Sequence, residues 1–339
     1  MDLIHPHTSA EVSDALRCAT QDGARVRVVG GRQHSIAETP VDAELWTTLL
    51  DDVVAYDPAE MLCVVEAGVR LHDLRKRLAE GGQEWPVDEP DDATVGGVIA
   101  ADVALPRQLR VGLVRDSVVE MHFVTGDGRA IRSGARTVKN VTGFDLHRLL
   151  TGSHGTLGVI TQVALKVRPL PQVARTLVTN EGGVDLAERL LAEIPLPAAV
   201  VAEGDRVLVR LEGWRDEVAE QAAAAGAIAV MADIDADGFP GAPFPEAPIV
   251  ARAAVPPSRL GALLDGFDRY RALLGVGFAW IPCADAEALA SLRARAHELG
   301  GTAPVLRGSG GLDADLTPLP DVERAIRAAF DPAGVLAPG

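Results

Sequence analysis

Apolar positions recur along the chain with two periods, 3.6 and 2, and the breaks between them fall at glycines and prolines. Val12, Ala15, Leu16 and Ala19 share one helical face. Thr8 and Glu11 form a capping-box pattern ahead of them and Gly23 follows, which predicts a helix. Arg25 to Val29 then reads as a short strand running into Gly30-Gly31. Leu62 to Glu66 reads as a second strand, Gly68 as a turn, and Leu71 to Glu80 as a helix with Leu71, Leu74 and Leu78 in register. The polar stretch Gln83 to Asp92 carries Pro86 and Pro90 and predicts irregular structure. The segment Ala93-Thr94-Val95-Gly96-Gly97-Val98-Ile99-Ala100 is small and apolar, so another group approaches its backbone closely. Val118 to Thr125 and Ala130 to Ser133 flank Gly126-Asp127-Gly128, a hairpin signal. A single amphipathic helical turn precedes the glycine cluster Gly152, Gly155 and Gly158. The strand Val159 to Val167 follows and stops at Pro169 and Pro171.

Beyond Pro171 the character changes. Leu177 to Thr179, Ala199 to Ala202 and Val207 to Leu211 read as short strands, and Asp216 to Ala225 as an Ala-rich helix. Asp233 to Pro248 reads as a long loop. A strand at Val250 to Val255, a helix over Ser258 to Leu274, a strand at Val276 to Ile281 and a helix at Ala286 to Leu299 complete a second α+β unit. The tail predicts a helix, Asp321 to Phe330, and then DPAGVLAPG. There is no internal repeat. Length alone, 339 residues, suggests two domains. The two prolines near Leu170 to Gln172 place the boundary, giving domains 1–170 and 171–339.

A hydrophobic content of 47% supports a large core and argues against disorder, while a formal charge of −16 argues against nucleic acid and anionic membrane as partners. Three lysines stand against 29 arginines, so an anionic ligand would be held by backbone dipoles and a few arginines. Cys18, Cys63 and Cys283 are odd in number and far apart, which suits a reducing compartment and gives no metal or cluster spacing. The first residues lack a secretory pattern, and the longest apolar run, Ala222 to Ala232, is about half of what a bilayer requires. The expectation is a cytoplasmic chain with no transmembrane segment. His5-Pro6-His7 has no zinc-site spacing and no nearby carboxylate, and no GxSxG elbow occurs, so no metal ligand is assigned.

Three segments carry candidate chemistry. Val28-Val29-Gly30-Gly31-Arg32-Gln33-His34-Ser35 places successive backbone N–H groups after a strand, either as a nest for a pyrophosphate or as an ordinary Gly-Gly turn. It is not a Rossmann fingerprint. Pro90 to Gly97 is either a cofactor-contacting segment or a buried loop. The stretch RTVKNVTGFDLHRLLTGSHGTLGVITQVALKVRPLP, Arg136 to Pro171, ends in a glycine turn against a strand, again a tight connection or a nucleotide cradle.

Together these motifs resemble the FAD-binding domain of the vanillyl-alcohol-oxidase/PCMH flavoproteins, with KNVxGFDLxxLLxGSxGTLGVIT as the most specific wording. Within that superfamily the chain is similar to the FAD-binding subunits of bacterial glycolate oxidases. The likeness covers the first half and returns at FDPAGVLAPG. It implies an α+β fold: a PCMH-type FAD-binding domain of two α/β subdomains, then a small α+β cap domain whose tail returns to the first. The implied cofactor contacts are Gly30, Gly31, Arg32, Gln33, His34, Ser35, Pro90, Ala93, Thr94, Gly96, Gly97, Asp102, Gly155, Gly158, Val159 and Ile160. Of these, Val159 and Ile160 are expected at the adenine through main-chain groups, and His34 is a candidate for covalent attachment.

The implied function is electron transfer from a small 2-hydroxy acid through FAD, beside a larger flavoprotein subunit and an iron–sulfur subunit. Two other classes remain: a self-sufficient FAD-dependent oxidoreductase using oxygen or a quinone, and a flavin-binding scaffold without turnover. The chain departs from the family at Asp102, where an Asn and a Gly are usual nearby, at His154 within the glycine turn, and at Ala337. No catalytic base is assigned. Arg252, Arg259 and Arg307 are unranked candidates for binding a carboxylate.

Overall fold

Two main sheets of opposite kind form from the first half of the chain and its tail. The computed structural model describes residues 1–33, 40–136, 143–234, 244, 246–307 and 321–338. Four short strands lie side by side in the order Asp2–Ile4, Ala43–Trp46, Val26–Val29, Leu336–Ala337, every pair parallel. Five longer strands form an antiparallel sheet in the order Val53–Asp57, Leu62–Glu66, Val159–Lys166, Val118–Val124, Ala130–Gly134. Thr8 caps the helix Ser9–Asp22 by accepting from the Glu11 N–H at 3.2 Å, and Gly23 at φ 66° ends it. Its buried Val12 and Leu16 join Val26, Leu45, Leu50, Val124, Val159 and Leu336 in one apolar cluster. Each such side chain contributes about 1.5–3 kcal/mol when fully buried. The cluster therefore ties the parallel strands to the antiparallel ones.

The chain divides into two compact units. The first takes residues 1–103 and 113–170 with the tail beyond residue 320; the second takes 104–112 and residues from 171 to the 300s. The second unit is an eight-stranded antiparallel sheet in the order Ala232–Ile234, Val173–Thr179, Arg206–Gly213, Ala199–Glu203, Arg271–Leu273, Phe278–Cys283, Ile249–Ala254, Val305–Arg307. The helices Gly183–Glu193, Arg215–Ile228 and Ala286–Glu298 contribute to its main apolar cluster. The excursion 104–112 is fastened within this unit by charge: Arg107 Nη1 donates to Glu212 Oε2 at 3.2 Å, and Arg110 Nη1 to Glu217 Oε1 at 3.0 Å. Arg210 Nε takes the other Glu212 oxygen at 2.8 Å, so this buried carboxylate is paired on both sides.

One predicted element is replaced. The helix expected over Ser258 to Leu274 exists only as a 3-10 turn, Pro257–Arg259, and the short helix Leu260–Leu264. Gly266 at φ 80° sits just past its end, and Arg271–Leu273 turns back as a strand pairing with Phe278–Cys283 and Ala199–Glu203. Its apolar spacing mimics a helix, but two strand partners satisfy its backbone instead. The segment Ala93 to Ala100 contains a helix, Val95–Ala101, and most of the predicted loop from Asp233 onward lies outside the described residues.

Candidate cofactor site

The strand Val26–Val29 ends at a loop where the N–H groups of Gly31, Arg32 and Gln33 donate to no other group among the described residues. Thr47 Oγ1 donates to the Val29 carbonyl at 3.3 Å, closing the strand end. A Cβ on Gly31 would stand 2.4 Å from the Asp92 carbonyl oxygen, and one on Gly30 would stand 2.4 Å from Thr94 Oγ1. Only glycine lets these two segments meet.

The second wall is the start of the helix Val95–Ala101. Thr94 caps it, its Oγ1 accepting from the Gly97 N–H at 3.2 Å. The N–H groups of Val95, Gly96 and Val98 donate to Val69, Ala67 and Thr94 carbonyls at 3.0, 2.7 and 3.0 Å. The helix start is thus consumed by the fold, and the segment offers surface and close approach rather than free donors. Gly96 is required by Ala67, whose Cβ lies 2.8 Å from where its own would be.

The third wall is the turn ahead of Val159–Lys166. The N–H groups of Gly152 and His154 donate to Ile99 and Ala100 carbonyls at 3.1 and 2.9 Å, docking the turn on the end of the same helix. Gly155 is left-handed at φ 74° and packs on Val28. Ser153 Oγ is buried with no partner among the described residues. Three of the non-glycine residues at positive φ, Arg32 (56°), Asp102 (45°) and His154 (48°), fall in or beside these three walls. Such backbone costs of order 1–3 kcal/mol and persists where surrounding structure imposes it.

These walls enclose one cavity of about 290 Å³. Gly30, Gly31, Arg32, Gln33, Ala93, Thr94, Gly96, Gly97, Gly155, Gly158 and Ile160 line it, so segments far apart in sequence converge. Pro90 is exposed, its carbonyl accepting from the Ala93 N–H at 2.9 Å; it supports the segment without lining the cavity. Asp102 ends the helix behind the turn. Val159 joins the apolar cluster, because alternation along its strand turns only Ile160 toward the cavity. His34 and Ser35 lie outside the described residues, as do Lys139 and Asn140.

Several lining residues escaped the sequence reading, among them Arg27, Glu44 and Thr47, while His154, noted there only as a departure within the glycine turn, also lines the cavity. Glu44 left a signal. It is the one charged residue inside the strand Ala43–Trp46, and it is 2% exposed. Arg32 Nη2 donates to both of its oxygens at 2.7 and 2.6 Å, Trp46 Nε1 donates to Oε2 at 3.2 Å, and Arg27 Nη1 lies 3.6 Å from Oε1.

A glycine-walled cavity with free N–H donors and two arginines suits a phosphate-bearing cofactor. Residues 3–134 match the family described as FAD binding domain. That stretch is an FAD-binding domain. The chain shares its fold with a solved alkyldihydroxyacetonephosphate synthase, which superimposes with a TM-score of 0.70 at 16% identity, covering 99% of this chain and 76% of that one. Among curated proteins, the glycolate oxidase subunit GlcE of Escherichia coli is 37% identical over 174 residues, 49% of each chain. The glycolate oxidase subunit GlcD of Bacillus subtilis is 31% identical over 147 residues, 43% of this chain and 31% of that protein. A mitochondrial D-lactate dehydrogenase (cytochrome) of Arabidopsis thaliana is 30% identical over 183 residues, 52% of this chain and 32% of the enzyme. The chain therefore spans half, or less, of the length of these relatives. No helix among the described residues is long and apolar enough to cross a membrane.

Proposed function

We propose that this chain is the FAD-binding subunit of a glycolate oxidase-like complex that oxidises a small 2-hydroxy acid. Electrons would leave the acid through FAD, beside a larger flavoprotein subunit and an iron–sulfur subunit, in the cytoplasm. The observation that carries the reading is the convergence of the three glycine segments on one cavity, joined to the likeness to GlcE. FAD, when bound, supplies two-electron acceptance together with one-electron release. The chain's own part is binding and orientation. Gly31, Arg32 and Gln33 present N–H groups to a pyrophosphate, Gly30 and Gly97 keep the wall thin, and Ile160 and Gly155 close the far side. His34, Ser35, Pro90, Asp102 and Val159 belong to the same proposed cofactor-binding set. The two relatives named as glycolate oxidase subunits support an assembly of several chains. The three cysteines are free, two of them buried, which accords with a reducing compartment.

The test is the visible absorption spectrum of the purified chain, followed anaerobically as glycolate and then D-lactate are added. The expected result is an oxidised flavin band that neither acid bleaches until the partner subunits are present. Bleaching by the chain alone would make it a self-sufficient oxidoreductase. A band that the complete complex cannot bleach would leave only a scaffold, and no band after added FAD would end the reading.

A further inference from the structure

We infer that Glu44 is a positioning residue that holds the Arg32 guanidinium at the cavity for an oxyanion of the cofactor; this rests on the FAD reading above. Glu44 sits on the strand beside Val26–Val29, its side chain 3% exposed, and lines the cavity. A carboxylate beside a site for an anionic ligand is repulsive unless it does something else. Its two oxygens already receive Arg32 Nη2 twice and Trp46 Nε1 once, with Arg27 Nη1 close by, so its acceptor capacity is nearly spent on protein donors. It is therefore not placed to bind a cofactor hydroxyl.

Arg32 explains the arrangement. Its backbone is left-handed at φ 56°, its side chain is 52% exposed, and its guanidinium lies 4.8 Å from the centre of the Trp46 ring. One nitrogen is tied to Glu44 and one face to Trp46, while Nε and Nη1 donate to nothing among the described residues. An arginine is a costly residue to order on its own because it loses much rotamer freedom. Glu44 and Trp46 impose that order in advance and leave the three N–H bonds of Nε and Nη1 without an acceptor among the described residues.

The experiment is a double-mutant cycle on FAD affinity, read by quenching of flavin fluorescence as the apo-protein is titrated. ADP serves as a competing probe, and circular dichroism confirms the fold of every variant. R32A is expected to weaken FAD and ADP by the same factor, about tenfold or more. E44Q, which keeps the shape and loses the charge, is expected to weaken both about threefold to tenfold. In R32A/E44Q the second substitution should add nothing. An E44Q effect of equal size with and without Arg32 would overturn the inference, as would an unchanged affinity in E44Q while wild type binds FAD. If wild type binds neither FAD nor ADP, the FAD reading itself falls.

Discussion

Gly31 shows how little room the site leaves for a side chain. Its missing Cβ faces a backbone carbonyl at 2.4 Å, which cannot rotate aside as a side chain would. Gly31→Ala should separate the Gly30–Gln33 loop from Asp92–Thr94, costing about 1–3 kcal/mol of stability. It should lower FAD affinity at least about tenfold, checked by thermal melting beside the flavin titration. His147 ties the third wall to pH. It is 6% exposed, and burial lowers its pKa from 6.5, with Asp145 opposing and Arg148 reinforcing. Its Nδ1 lies 3.3 Å from Ser133 Oγ, which itself donates to the Phe144 carbonyl at 3.2 Å; the ring nitrogen must therefore be the donor. A lowered folded pKa means the neutral ring stabilises the fold above pH 6.5, and that contribution is lost as pH falls through the folded value. The melting temperature should drop on acidification below pH 6.5, and less so in H147Q, because the glutamine has no proton to gain.

Single elements acquire their places through contacts that a local pattern does not register. The tail is held by Asp331, 4% exposed, whose oxygens accept from the Val335 and Leu336 N–H groups at 2.9 and 2.8 Å. It also abuts Gly126, where a Cβ would stand 2.2 Å from Oδ1. Asp331→Ala should remove both bonds and strand two buried donors, costing about 3 kcal/mol in a urea unfolding experiment. The capped first helix, the hairpin at Gly126-Asp127-Gly128 and the strand after Gly158 were legible because each is stated by a few adjacent residues. Arg271–Leu273 was not, since its strand state depends on partners some 70 positions upstream. Nor were Asp2–Ile4 and Ala43–Trp46, parallel strands of three and four residues, too short for a period to show.

At the scale of the molecule, the two units differ in how much of them a sequence pattern can reveal. The glycine turns of the first unit are required by close approach of backbone, so they surface as motifs even at a distance. The second unit's eight-stranded sheet needs only apolar alternation, and many sequences satisfy it. The same limit governed the site: Gly31 and Thr94 were readable from local wording, whereas Glu44 meets Arg32 only after the parallel strands align. The alignment has a consequence in time. The central strand Val26–Val29 has Leu336–Ala337 as one neighbour, and Arg27 Nε donates to the Pro338 carbonyl across 311 positions of sequence. Ribosomes add about 5–20 residues per second, so roughly 15–60 s separate the two halves of that pairing. During synthesis the nascent first unit must keep an unpaired strand edge next to the Gly30–Gln33 loop, which marks this interval as a point where a chaperone would affect yield.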